Sequence, residues 1–141
     1  MSLNAERHAS VDIAGIHHVS LPASNVEESV AWYAGILGFQ CVLVEEEEAG
    51  VIGALLVHPT GAVISLHADP DRAHALRGFS PAALAVPDRA ALHWWDDYLT
   101  QQKVEHSAIY PAHLGFAMTV HGPDDIHMQL HTLEELSAES T

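Results

Sequence analysis

Like residues recur along this chain at a nearly constant spacing. Trp32 and Trp95 lie 63 residues apart, as do Asn25 and Asp88. Pro59 and Pro123 lie 64 apart, and so do the pairs Leu66-His67 and Leu130-His131. Caps, aromatics, turns and terminal pairs repeating together point to an internal duplication, one supersecondary unit used twice. With 141 residues the chain has single-domain length, so two small modules must share a core.

The unit reads β-α-β-β-β. Gly15 to Pro22 alternates as a strand does, and Ser24 or Asn25 offers an N-cap, with Ser24 and Glu27 at capping-box spacing. Val26, Val30, Tyr33, Ala34 and Leu37 fall on one helical stripe, with Trp32 and Ile36 beside it, before Gly38 stops the helix. Phe39 to Glu45 and Gly50 to Val57 are strand-like, with Glu45–Glu48 as a solvated turn between them. His58-Pro59-Thr60-Gly61 turns the chain, and Ala62 to His67 runs back. The first module thus covers residues 10–67, and 68–78 reads as a polar linker.

Residues 79–133 repeat the order. Phe79 to Val86 is a strand, and Asp88 caps a helix to about Gln102 with Leu92, Trp95 and Leu99 inward. Trp94 flanks the same helix. Val104 to Tyr110, Leu114 to His121 and Ile126 to Leu133 complete the strands, and 134–141 is a polar tail. Each module has one helix, which covers only one face of its sheet. The open faces must therefore meet or enclose a ligand. The expected architecture is α+β, two tandem modules forming a curved eight-stranded mixed sheet that cups a ligand cavity.

Composition limits what that cavity holds. Apolar residues make up 48% and charged ones 17%, which is ordinary for a globular protein. Five Lys+Arg against nineteen Asp+Glu give a net charge of −14, so nucleic acid and anionic membranes are poor partners. Arg7, Arg72, Arg77, Arg89 and Lys103 all lie off the predicted cup strands, which argues against a strongly anionic ligand. Twelve histidines would cancel most of the negative charge if all were protonated. Cys41, the single cysteine, excludes an internal disulfide and reads as an inert thiol in an apolar strand. No apolar run reaches the ~18 residues that span a bilayer, and Met1–Ser10 lacks a signal peptide's pattern, so a cytoplasmic chain is expected. A Gly-x-Ser-x-Gly elbow and a glycine-rich phosphate loop are both missing.

Ile16-His17-His18-Val19-Ser20-Leu21, Ser24-Asn25 and Trp32-Tyr33 followed by Leu37-Gly38-Phe39 resemble the opening of the vicinal oxygen chelate superfamily. That group includes glyoxalase I, bleomycin- and fosfomycin-resistance proteins and extradiol dioxygenases. Ala85-Val86-Pro87-Asp88 and Gly122-Pro123-Asp124-Asp125-Ile126-His127-Met128-Gln129-Leu130 resemble its second module and its Asp-Pro-Asp-Gly turn. The resemblance covers Gly15 to Leu133 and implies paired modules, a small-molecule cup and a homodimer.

In metal-using members a divalent ion sits on the first and last strands of each module. By resemblance those positions fall on His18, Ser65, Pro81 and Gln129. Strand alternation adds His67 to the face of Ser65, and His127 and His131 to the face of Gln129. The candidate cup residues are therefore His18, Ser65, His67, His127, Gln129 and His131. His67 and His131 also fit strand ends at a wet rim. His17 points away from the cup, His58 and His121 fall at turns, His113 in a loop, and His8, His74 and His106 on the surface.

The favoured expectation is a binder of a small, partly apolar organic molecule with no metal cofactor, similar to the bleomycin-binding branch. The alternative is a metal-dependent lyase or dioxygenase. Its single divalent ion (Zn, Ni, Mn or Fe) would be displaced onto His18, His67 and His131, with Gln129 as a possible fourth ligand. A metal-free enzyme using a cup histidine as base is a third class.

Overall fold

The computed structural model of the chain describes Leu3 and residues 11–133. The first module holds β1 (Val19–Ala23), α1 (Val26–Leu37), β2 (Gln40–Glu47), β3 (Gly50–Val57) and β4 (Val63–Ala68). A short helix, α2 (Pro70–Ala75), lies within the segment read as a linker, and Asp69 caps it. The second module holds β5 (Ala83–Val86), α3 (Arg89–Gln101), β6 (Tyr110–Ala112), β7 (Gly115–His121) and β8 (His127–Thr132). The readings for Met1–Ser10, including Arg7 and His8, and for the tail from residue 134 lie outside the described residues.

Strand order carries the duplication. The sheets run β1-β4-β3-β2 and β5-β8-β7-β6, so adding four to each strand number converts one into the other. In both, the first and last strands pair in parallel and the remaining pairs are antiparallel. The eight strands form two four-stranded sheets, not one continuous sheet, because β1 and β5 are both edges and do not pair.

Local chemistry sets the element ends. Asn25, not Ser24, caps α1, accepting from the Glu28 N–H at 3.0 Å. Asp88 does the same for α3 through the Ala91 N–H at 2.9 Å. Gly38 closes α1 at φ 80°, a conformation glycine adopts without steric cost. Ser24 instead holds Asp124 of the β7–β8 turn through its hydroxyl and its N–H.

Alternation then sorts the sheet faces. Leu21, Ala23, Ala54, Leu56, Ile64 and Leu66 are buried with Val26, Tyr33 and Leu37 of α1. Val86, Met118, Val120 and Leu130 pack with Leu92 and Leu99 of α3. Each large aliphatic side chain so buried contributes roughly 1.5–3 kcal/mol. Trp32, Ile36, Leu84 and Trp95 touch both clusters, which joins the modules into one core.

Several details differ from expectation, and β5 starts at Ala83 rather than at Phe79. β1 starts at Val19, so His18 precedes it. Glu45–Glu47 extend β2, and the turn is Glu48-Ala49; an outer strand tolerates such charge because its edge faces water. The expected strand from Val104 reduces to one bridge, His106 to Val120, ahead of β6. His106 is half-buried against Asp96, Nε2 to Oδ1 2.7 Å, rather than free on the surface. No helix among the described residues is long and apolar enough to cross a membrane.

Candidate functional site

The sheet faces turned away from the helices carry the candidate cup residues. On β4, Ser65 lies between Ser20 of β1 and Leu55 of β3 in register. Its hydroxyl is 3.1 Å from His67 Nε2. His18 is exposed just before β1, with its Nδ1 2.8 Å from that of His17.

The second sheet is more ordered chemically. Gln129 sits between Ala83 of β5 and Thr119 of β7. Its amide donates to the Tyr110 hydroxyl at 3.0 Å, and that oxygen is 2.9 Å from Thr119 Oγ1. One step along, His131 lies between Ala85 and Ala117, its Nδ1 2.8 Å from the Thr132 carbonyl. The result is a fixed amide and phenol on a surface floored by alanines.

At the other end of β8, His127 pairs in register with His121 of β7. Their rings stack with centroids 4.0 Å apart. Asp125 Oδ1 lies 3.0 Å from His127 Nε2 and 3.1 Å from His121 Nδ1. Glu105 Oε2 is also 3.1 Å from His121 Nδ1. Among the described residues, His121, Asp125 and His127 are the one group of three His, Cys, Asp or Glu whose ligand atoms converge within 4.8 Å. His18, His67 and His131 are not gathered in this way.

The sequence marked His127 and missed its partners. In the sequence His121 reads as a turn residue and Asp125 as part of a motif. The available signal was the tight Gly122–Asp125 turn, which brings the residue before it opposite the strand residue after it.

Two titrations are displaced. Burial, followed by the charge of Asp124, pushes the Tyr33 phenol well above its usual range. For His106, burial favours the neutral ring, yet the Val104 carbonyl and Asp96 carboxylate outweigh it and raise the pKa above 6.5.

A cavity of about 620 Å³ opens where Leu37, Phe39, His58 and Trp95 face β5 and Leu130, and it shares Ala83 and Ala85 with the alanine floor. None of the six candidate cup residues lines it. Of the candidate cup residues, His18 and His67 are exposed, while Ser65, His127, Gln129 and His131 are half-buried.

Two β-α-β-β-β modules with one strand order define a class of α+β proteins built by duplication. Residues 15–139 match the Glyoxalase/Bleomycin resistance protein/Dioxygenase superfamily, and the chain belongs to it. It is 30% identical over 106 residues to "Putative ring-cleaving dioxygenase MhqA" of Bacillus subtilis (strain 168), covering 69% of this chain. The chain spans 33% of that relative's length. In fold it resembles TnmS3, an antibiotic binding protein from Streptomyces sp. CB03234, with TM-score 0.68 and 19% identity. That likeness covers 89% of this chain and 98% of the other. It also resembles the fosfomycin resistance protein FosX from Listeria monocytogenes, with TM-score 0.67 and 14% identity over 92% and 98% of the two chains.

The positions that the family resemblance assigns to a divalent ion do not suit one here. Pro81 has no side-chain donor and the Ser65 hydroxyl is engaged by His67, which leaves His18 and the neutral Gln129 carbonyl oxygen. No carboxylate stands among them to balance an ion's charge.

Proposed function

We propose that this chain binds a small, partly apolar organic molecule on the cup face of its second sheet, with the family's ion position out of use. The observation that carries this reading is the Gln129–Tyr110–Thr119 chain above the alanines Ala83, Ala85 and Ala117. A few oriented polar groups on an apolar floor are what fixes a small organic ligand. His67 and Ser65 supply the matching polar groups on the first sheet.

A homodimer completes the proposal, because the cup residues His18 and His67 stand exposed in one chain. Edge strand β2 supports this: Val42, Leu43 and Val44 are 54%, 51% and 49% exposed, a row of apolar side chains on an unpaired edge. A second copy is the occupant that this edge and those exposed residues suit together.

A thermal-shift screen of the full chain against metabolites and antibiotics tests the reading. Ligand at a hundred times Kd stabilises by ~2.7 kcal/mol. The shift should disappear in Gln129→Leu and shrink in Tyr110→Phe. A shift unchanged in both, or lost instead in Thr60→Trp at the 620 Å³ cavity, overturns it.

The named relative favours a second reading, a metal-dependent oxygenase or lyase with its ion on His18, His67, His131 and Gln129. The scattering of those residues in the single chain weighs against it, so we rank it second.

A further inference from the structure

We propose that His121, Asp125 and His127 form a binding site for one divalent transition-metal ion at the β7–β8 turn, with the exposed Glu105 beside His121 able to swing in as a fourth donor. The site lies apart from the family's ion position and stands whether or not an organic ligand is found.

Distance is the first argument. Metal–nitrogen and metal–oxygen bonds of about 2.0–2.1 Å place neighbouring ligand atoms of a tetrahedral ion roughly 3.3 Å apart. Asp125 Oδ1 is 3.0 Å from His127 Nε2 and 3.1 Å from His121 Nδ1, and Glu105 Oε2 is 3.1 Å from His121 Nδ1. All three ligand atoms of His121, Asp125 and His127 lie within 4.8 Å of one another, so side-chain shifts of up to about 1.5 Å would admit an ion.

The second argument is an unsatisfied atom. His121 Nδ1 is shielded from solvent and makes no aligned hydrogen bond, although two carboxylates lie 3.1 Å away. Its neighbours are close but wrongly angled for a proton. An ion between them would satisfy nitrogen and carboxylates together.

The backbone is the third. Asp124 and Asp125 both adopt left-handed conformations, φ 60° and 54°, which are rare for consecutive non-glycine residues. Ser24 holds Asp124 from the first module, and the Gly78 N–H donates to the Asp125 carbonyl at 2.7 Å. Gly122 must be glycine, since a Cβ there would come within 2.9 Å of the Ile126 carbonyl. The turn is thus fixed from outside, and its geometry aims Asp125 at both imidazoles.

Donor chemistry sets the ion class. Imidazole with carboxylate suits Zn²⁺, Co²⁺ or Ni²⁺ and disfavours Ca²⁺ and Mg²⁺, which prefer all-oxygen sites. Two carboxylates balance the double positive charge.

Titration of the tag-free full chain with Co²⁺, followed by visible absorption and Zn²⁺ competition, tests the proposal. One ion per chain is expected, with the absorption of a nitrogen–oxygen site. His127→Ala, and Asp125→Asn, whose side chain tolerates the left-handed turn, should weaken binding by about tenfold or more. Exposed Glu105→Gln gives a weaker loss with little risk to folding, while His67→Ala and His131→Ala should bind as the parent does. Circular dichroism checks that each variant is folded. No binding at micromolar metal, or parental affinity in folded His121→Ala, His127→Ala and Asp125→Asn, overturns the proposal and leaves a hydrogen-bonded turn.

Discussion

The Tyr98 hydroxyl donates to the Gly35 carbonyl at 3.3 Å, and these residues are 63 positions apart, the offset that separates Trp32 from Trp95. The bond therefore joins equivalent places on α1 and α3, where the two modules meet. Trp94 stacks on the Tyr98 ring at 5.0 Å, and Trp95 meets its edge at 5.4 Å, so the phenol is held by its own helix. Tyr98→Phe keeps these rings and removes only the hydrogen bond. Urea unfolding should show a loss of about 0.5–1.5 kcal/mol, the net worth of a neutral bond. No loss at all would mean that solvent serves the Gly35 carbonyl equally well.

Gly115 opens β7 at φ 147°, and a Cβ there would run into the Thr132 hydroxyl. That hydroxyl accepts from the Phe116 N–H at 3.1 Å and is buried, so it cannot swing away without leaving a polar group unpaired. Gly115→Ala should cost roughly 2 kcal/mol or more, read as a lower urea midpoint with unchanged slope. A parental midpoint would contradict this packing.

His106 gives stability a pH dependence of known sign. Its folded pKa is raised above 6.5, so the protonated ring is favoured by folding. Its contribution is complete below the unfolded value and fades as pH rises through the folded one. His106→Gln should therefore cost more at pH 6 than at pH 8 by paired urea titrations. An equal cost at both would remove Asp96 as the cause.

Association is the fourth test. Light scattering at neutral pH and micromolar concentration should return twice the chain mass. Val42→Glu with Val44→Glu, both exposed on β2, should give a folded monomer. A monomeric parent would refute the proposed dimer.

The duplication was legible in the sequence because its markers are local. A cap, a C-terminal glycine and a proline turn each act within a few residues, so Asn25, Gly38 and Asp88 stood where pattern put them. What failed was set across distance. Ser24 has capping-box spacing to Glu27, yet its partner is Asp124, which no local rule connects to it. His106 looked like a surface residue until the bridge to Val120 tucked it against Asp96. The His121–His127 pair required the register of β7 and β8, which the hairpin fixes only once Gly122–Asp125 is known to be tight.

The clasp between Ser24 and Asp124 also orders events in time. A contact across one hundred residues closes late, because a long loop must first be drawn together. During synthesis, most of the second module must leave the ribosome before Ser24 can meet Asp124. Until then the apolar residues Trp32 and Ile36, which touch both clusters, lack their neighbours in the second module. A nascent first module is therefore the species most open to chaperones, proteases and its own aggregation.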